Sequence, residues 1–275
     1  MNYTNIFQDV SRALQEDIGS GDISARLIPS STILTIELLL REDAVICGSD
    51  WFDQSFKQLA DDIEITWHFS DGDRVKANSI ICHLRGNARV LLTAERTALN
   101  FLQTLSATAT TTAKFAELLE GTNCRLLDTR KTIPNLRYGQ KYAVKCGGGI
   151  NHRIGLFDAY LIKENHLAAC GGILAAVKQA RELKPGSFIE IEVESLDQLR
   201  QALDVKVDRV LLDNFKLEQL RQAVEINQHQ TELEASGDIT LSNIREIALT
   251  GVDFVSIGSL TKHIRAIDFS LRYCE

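Results

Sequence analysis

The chain has 275 residues, 44% of them apolar and 24% charged, with a formal net charge of −7 and a pI near 5.5. That length supports one large core, or a barrel with a smaller domain beside it. The acidic balance argues against nucleic-acid binding driven by phosphate contacts, while leaving room for a local basic pocket.

The six cysteines (Cys47, Cys82, Cys124, Cys146, Cys170, Cys274) are scattered, with no CxxC or Cys/His pair at zinc spacing. Residues Met1–Gln15 carry no apolar signal core, and no apolar run is long enough to span a bilayer. Reduced thiols in a cytoplasmic protein are expected.

Ile6, Val10, Ala13 and Leu14 recur at helical spacing, which predicts a helix over Ile6–Glu16. The glycine- and acid-rich run Glu16-Asp17-Ile18-Gly19-Ser20-Gly21-Asp22 reads as a loop. Thr32–Arg41 reads as a strand and Gly48–Asp61 as a helix. Ile63–Arg85 reads as strands around the turns Asp71-Gly72-Asp73 and Ala77-Asn78. Asp71–Gly86 resembles half of a biotinyl- or lipoyl-type fold, but its lysine, Lys76, follows Asp73 in the strand-entry segment, so the reading is a structural β sandwich. Val90 to about Leu119 is helical and free of Gly and Pro, with Ala94, Ala98, Phe101, Leu102 and Leu105 on one face and Arg96 and Asn100 on another. Threonines weaken helices, so a break is expected near Ser106–Thr112. This divides the chain into an N-terminal α/β sandwich domain, residues 1–110, and an α/β barrel, residues 111–275.

Six apolar runs then stop on a charged or small polar residue: Arg125–Asp128, Ala159–Lys163, Phe188–Glu192, Arg209–Asp213, Glu232–Ser236 and Phe254–Gly258. Each reads as a buried strand, most are followed by helical periodicity, and the repetition predicts a parallel sheet. In a parallel barrel the C-terminal strand ends meet on one face, where active sites sit. Arg130, Lys131, His152, Arg153 and Lys163 therefore form a candidate pocket for a small polyanion, which the planar arginine fork suits. Glu192 and Glu194 alternate onto one side, with Asp213 at the adjacent strand end. That oxygen set fits Mg²⁺, and equally a salt bridge to Lys163 or Arg130. Ser236-Gly237-Asp238 and Gly258-Ser259 end the last two strands, with helices expected from Thr240 and Leu260. Such turns let backbone N–H groups approach a phosphate. Gly147-Gly148-Gly149 lacks dinucleotide-fingerprint spacing and reads as a tight turn before His152-Arg153. His68, His83 and His229 read as structural or surface residues.

Asp128-Thr129-Arg130-Lys131-Thr132-Ile133-Pro134, Asn151-His152-Arg153-Ile154-Gly155-Leu156 and Leu161-Ile162-Lys163-Glu164-Asn165-His166 resemble signatures of the quinolinate phosphoribosyltransferases, also called nicotinate-nucleotide pyrophosphorylases (carboxylating). Glu95-Arg96-Thr97-Ala98-Leu99-Asn100, Leu211-Leu212-Asp213-Asn214, Gly258-Ser259-Leu260-Thr261, Glu16-Asp17 and Gly21-Asp22-Ile23 also fit, in the family's order along nearly the whole chain. The resemblance implies a sandwich domain packed on an open, TIM-like barrel of the type II phosphoribosyltransferases. It implies transfer of phosphoribosyl from 5-phosphoribosyl 1-diphosphate to quinolinate, giving nicotinate mononucleotide, CO₂ and diphosphate, with Mg²⁺ as cofactor.

It further implies a homodimer, joined through the N-terminal domain, in which Arg96 reaches the partner's pocket. Arg130, Arg153 and Lys163 would bind the quinolinate carboxylates, with Thr129, Lys131 and His152 nearby. Glu192 and Asp213 would hold ribose hydroxyls and Mg²⁺, assisted by Glu194. Ser236, Gly237, Asp238, Gly258 and Ser259 would surround the 5-phosphate. Lys163, Glu192, Asp213 and Lys131 are the catalytic candidates. Three positions depart from the family pattern: Asp238 and Asn135 stand where glycine is common, and Lys262 where histidine is. The rivals are a molybdenum-associated homologue of the same fold, a Schiff-base aldolase using Lys163, and a non-catalytic dimeric binding module. The carboxylate-binding set Arg130, Arg153 and Lys163 speaks against the first, and Glu192 with Asp213 against the last.

Overall fold

Alternating apolar positions make β strands where one face is covered, and period-four positions make helices that bury a stripe. The computed structural model describes residues 3–274. Its elements, in chain order, are α1 (Tyr3–Ile18), a 3₁₀ turn (Ala25–Leu27), β1 (Ile33–Leu40), β2 (Ala44–Val45), α2 (Ser49–Lys57), β3 (Glu64–Trp67), β4 (Arg74–Val75), β5 (Ile80–Asn87) and α3 (Ala88–Leu118). There follow β6 (Arg125–Leu127), α4 (Arg137–Cys146), β7 (Tyr160–Ile162), α5 (Glu164–Cys170), α6 (Ile173–Leu183), β8 (Ile189–Val193) and α7 (Leu196–Asp204). The last are β9 (Arg209–Asp213), α8 (Leu217–Asn227), β10 (Glu232–Ser236), α9 (Ile244–Ala248), β11 (Phe254–Ser256), α10 (Ser259–Lys262) and β12 (Phe269–Tyr273).

Two compact units interleave along the sequence. The first takes residues 3–113, Thr132–Gly148 and residues 260–274; the second takes Lys114–Lys131 and Gly149–Ser259. The first unit holds a four-stranded antiparallel sheet in the order β12-β1-β5-β3 and a small β2-β4 ladder. Ile36, Leu38, Leu40, Phe52, Phe56, Ile81, Leu84, Leu91, Leu102 and Phe269 belong to one buried cluster there. Ile6, Val10, Leu14, Trp51, Leu105 and Ala109 belong to a second. The C-terminal strand pairs with β1 from Ile36↔Tyr273 to Leu40↔Phe269. Glu16 and Asp17, expected in a loop, lie in the last turn of α1. Asp22 instead organises the turn: its Oδ1 accepts the N–H groups of Ser24 and Ala25 at 2.9 and 3.0 Å, and Thr93 donates to its Oδ2. His68 and His83 partner each other, Nε2 to Nδ1 at 2.8 Å.

The break expected at Ser106–Thr112 does not occur, because α3 runs unbroken through it. Hydroxyl groups that weaken an isolated helix are here used by the fold. Thr110 Oγ1 accepts the Val45 N–H at 2.8 Å, and Ser106 Oγ takes the Cys47 N–H at 3.0 Å and donates back to the Cys47 carbonyl. Thr112 donates to the Thr108 carbonyl one turn earlier. Buried backbone groups of a neighbouring segment thus gain partners, and that outweighs a propensity difference of a few tenths of a kcal/mol.

The second unit is six parallel strands in the order β6-β11-β10-β9-β8-β7. β6 and β7 are edges, so strand pairing leaves the sheet open, as an open α/β barrel requires. All six expected strands are present, with ends within two residues of those expected; β8 runs one residue further, to Val193. Helices α5 to α9 form the crossovers between them. Among the described residues no helix is long and apolar enough to cross a membrane.

Thr110→Val keeps the shape of the side chain and removes the oxygen that accepts the buried Val45 N–H. We expect it to cost about 1–3 kcal/mol, read as a lower urea midpoint. An unchanged midpoint would contradict the explanation given for the unbroken helix.

Candidate active site

Along each inner strand of the second unit every other residue shares one face, and several of these residues are polar. Glu190 and Glu192 share a face of β8, Glu234 and Ser236 of β10, and Arg209, Leu211 and Asp213 of β9. Glu190 is 1% exposed and Glu234 fully buried. The sequence reading did not single out these two carboxyls or Arg209, although their period-two spacing from Glu192, Ser236 and Asp213 was the signal available. Arg209 answers both buried carboxyls: its Nη1 lies 3.4 Å from Glu234 Oε2, and its charge acts on Glu190. The guanidinium stacks 4.0 Å from the Phe254 ring and pairs with Glu232 at 2.7 Å.

Above this layer sits His152. Its Nε2 lies 2.8 Å from Glu190 Oε2 and 3.6 Å from Glu234 Oε2, and its Nδ1 accepts the Arg153 N–H. Burial pushes the Glu234 carboxyl up to about 8, helped by the Glu190 charge, while His152, Ser256 and Arg209 pull it back. Burial likewise raises Glu190, which hydrogen-bonds Glu234. The segment itself is anchored by Asp128, buried at the end of β6. Asp128 Oδ1 accepts the His152 N–H at 2.8 Å and Oδ2 the Asn151 Nδ2 at 2.7 Å.

At the strand ends, Lys163 Nζ pairs with Glu192 Oε2. The salt bridge weighed against metal binding is therefore formed in the absence of ligand. Burial raises the Glu192 carboxyl; Lys163 opposes that and the Asp213 charge adds to it. Arg153 is lowered by burial and by Arg130, a like charge close by, and its Nη1 donates to the Ala159 carbonyl at 3.0 Å. Arg130 Nε is buried without a protein acceptor. Two cations held together and incompletely satisfied describe a place for an anion.

Gly258 is a close approach: a Cβ there would stand 2.9 Å from Lys131 Cδ and 3.6 Å from Thr129 Oγ1. Gly237, at φ +105°, would put a Cβ 2.1 Å from Asn214 Oδ1, and Asn214 in turn donates to Asp213 Oδ2 at 2.9 Å. Asp238 and Asn135 hold φ of 47° and 63°, so both keep the left-handed backbone that a glycine would adopt. One expectation needs correction. No helix starts at Thr240; a turn tied by Asn243 to Asp238 O and Thr240 N delays α9 to Ile244. The helix expected near Leu260 is present as α10, but it is only four residues long. A helix dipole therefore contributes little, and the phosphate argument rests on the small residues alone. Glu194 lies exposed beyond the end of β8, its N–H donating to Gln198. Arg96 belongs to the first unit, exposed on α3.

Residues 22–106 match the model for the quinolinate phosphoribosyl transferase N-terminal domain, and residues 108–272 match that for its C-terminal domain. The chain belongs to the quinolinate phosphoribosyltransferase family. The nicotinate-nucleotide pyrophosphorylase (carboxylating) of Mycobacterium leprae (strain TN) is 40% identical over 271 residues, covering 95% of each chain. A probable enzyme of the same description from Bacillus subtilis (strain 168) is 36% identical over 272 residues, 98% of this chain and 94% of that one. The structure of the nicotinate-nucleotide pyrophosphorylase from Francisella tularensis has a TM-score of 0.97 at 49% identity, covering 100% of this chain and 98% of that one. As a quinolinate phosphoribosyltransferase (EC 2.4.2.19), the protein forms nicotinate mononucleotide from quinolinate and 5-phosphoribosyl 1-diphosphate in NAD biosynthesis.

The folded transferase keeps a proton on Glu234 that the unfolded chain releases above the ordinary value of 4.5. Its contribution to stability therefore falls as pH rises from about 4.5 to about 8. Glu234→Gln removes that dependence. The variant should gain thermal stability relative to the parent as pH is raised across this window, and a difference flat in pH would refute the assignment.

Proposed function

We propose that Arg130, Arg153 and Lys163 bind the two quinolinate carboxylates, with Thr129, Lys131 and His152 bordering them. The observation that carries this reading is the cationic group Arg130–Arg153, with Lys163 provisionally neutralised by Glu192. A dianionic substrate relieves the repulsion between the arginines and takes over Lys163, which frees Glu192 for the sugar. Glu192 and Asp213 then hold the ribose hydroxyls. Departure of diphosphate builds positive charge on the ribose carbon, and these two carboxylates stabilise it. Loss of the carboxyl group next to the ring nitrogen leaves an electron pair there, which the Lys163 ammonium stabilises. No protein nucleophile is needed. Pairing with a carboxylate also leaves Lys163 without the apolar or cationic surroundings that activate an amine for Schiff-base chemistry.

Mg²⁺ belongs to the same reading. Glu192 and Asp213 repel each other at adjacent strand ends, and an all-oxygen pair of this kind suits a hard cation that keeps most of its ligands on substrate and water. When bound it would offset charge on the diphosphate. Ser236, Gly237, Gly258 and Ser259 line the 5-phosphate, with Asp238 at the margin, and the supporting observations are the lack of room for a Cβ at Gly237 and the approach of the Lys131 side chain to Gly258. The working unit is a homodimer in which exposed Arg96 completes the partner's pocket, and the setting is cytoplasmic.

Lys163→Ala should lower kcat for CO₂ release from carboxyl-labelled quinolinate by roughly 100- to 1,000-fold, about 2.7–4 kcal/mol. A variant with near-parental kcat would remove Lys163 from the chemistry. Arg96→Ala and Lys163→Ala should each be inactive alone, yet mixed dimers should recover part of the turnover. Verified mixed dimers without recovery would mean that Arg96 serves its own subunit or no site at all.

A further inference from the structure

Away from the transferase residues, the first unit holds a cluster the reaction does not use: Cys47, Asp71, Tyr142 and Cys146. Cys47 follows β2 and is fully buried, with its backbone clamped at both N–H and C=O by Ser106. Cys146 is the last residue of α4 and is partly exposed. The two sulfurs and a carboxylate oxygen of Asp71 all lie within 4.8 Å of one another. Asp71 is fixed at the start of α2, its two oxygens accepting the Gly48 and Ser49 N–H groups at 3.0 and 3.2 Å. Tyr142, one turn before Cys146, hydrogen-bonds both Cys146 and Asp71.

We propose that Cys146 and Cys47 are a dithiol pair that a hydroperoxide converts to an intramolecular disulfide, with Cys146 the attacking sulfur and Cys47 the resolving one. The assignment of roles follows from access and hydrogen bonding. Cys146 is the sulfur that solvent reaches. It is also the one whose thiolate is favoured, by the Cys47 thiol first and the Tyr142 hydroxyl second, against the cost of its own burial. Burial holds Cys47 in the thiol form, reinforced by its hydrogen bond to Cys146 and by the Asp71 charge. Low-pKa, accessible cysteines beside a second thiol are the pattern of reversible oxidation.

The chemistry balances with hydrogen peroxide as the oxidant. The Cys146 thiolate attacks one peroxide oxygen, the O–O bond breaks, and hydroxide leaves as Cys146 becomes a sulfenic acid. Cys47 sulfur then attacks Cys146 sulfur. The S–S bond forms, the S–O bond breaks, and the departing hydroxide takes up the Cys47 proton, for which Asp71 is the nearest base. Two thiols and one peroxide give one disulfide and two waters. The sulfurs close to about 2.05 Å in the product. Gly147, next in the chain, has no slack, since a Cβ there would lie 2.4 Å from the Ala109 carbonyl. With Gly147 held there and the Cys47 backbone held by Ser106, the approach must come from rotation of the two cysteine side chains.

The other cysteines supply internal controls. Cys124 is buried, its thiol pushed up to about 12, and Cys170 is exposed, its thiol donating to Gln179 Oε1 at 3.7 Å. The test exposes the full-length protein to hydrogen peroxide in the presence of a metal chelator, then alkylates, digests without reductant and maps peptides by mass. We expect loss of alkylation at both Cys47 and Cys146, a Cys47–Cys146 linked peptide, and recovery of both thiols with dithiothreitol. In Cys47→Ser, dimedone should trap a sulfenic acid at Cys146. The proposal is overturned if Cys47 and Cys146 both remain alkylatable while Cys170 is oxidised, or if Cys146 is found joined to another cysteine. The wild-type map decides this even if the variant fails to fold.

Discussion

A carboxyl group taken out of water inside a sheet needs something to replace its hydration. Glu190 and Glu234 impose that requirement on the second unit, because they are buried on β8 and β10, the two strands that flank β9. Arg209 meets it from β9, and His152 meets it from the segment that follows β6. Keeping Glu234 protonated at neutral pH reduces the buried negative charge that Arg209 must balance. The consequence reaches the site. His152 is tied to the interior through Nε2 and to Arg153 through Nδ1, while Asp128 holds the backbone of the same segment. The arginine assigned to the substrate carboxylates thus takes its position from a charge balance made inside the sheet.

At the mouth, magnitudes favour exchange of ligand-free pairs for substrate contacts. In their pair the Lys163 side chain is 43% exposed and the Glu192 side chain 11%; with the lysine partly in water, the pair contributes on the order of 1 kcal/mol. Hydrogen bonds to charged groups contribute about 1.5–3 kcal/mol each. On the proposed reading, a dianion that gives Lys163 a carboxylate and supplies acceptors to Arg130 and Arg153 gains more than it displaces. On the proposed reading, the pair serves to keep the lysine oriented before substrate arrives, at little cost to release.

The strands of the second unit were legible because both faces of a parallel sheet are covered, so their sequences run apolar until the chain reaches the mouth. That same rule hid Glu190 and Glu234. Charge was read as the end of a strand, and a carboxyl in the middle of one was passed over, although its two-residue spacing from Glu192 or Ser236 put it on the same face. The continuity of α3 was hidden for a different reason. Threonine propensity is a local property, whereas the hydroxyls of Ser106 and Thr110 are engaged by Cys47 and Val45, far away in sequence. The pairing of β12 with β1 was out of reach for the same reason, since register across the whole chain leaves no short-range pattern. The order of the motifs along the chain made the family legible; the partners of each motif residue became visible only in three dimensions.

The departures from the family pattern separate backbone from charge. Asn135 and Asp238 sit at left-handed φ, which short polar side chains tolerate at modest cost, so the path of each turn survives the loss of glycine. Gly237 cannot be replaced in the same way: its φ is +105° and a Cβ there would run into Asn214, backbone included, whereas at Gly258 a Cβ would meet the Lys131 side chain. What Asp238 adds is a negative charge next to the proposed phosphate site. The residue is exposed and its turn is fixed through its carbonyl by Asn243, so the side chain contributes through a field that water and salt screen. Its effect should then scale with ionic strength, whereas the fit of a phosphate against Gly237 and Gly258 should not. On the proposed reading, that difference makes Asp238 an adjustment of affinity and the close-packed backbone at Gly237 part of the fit.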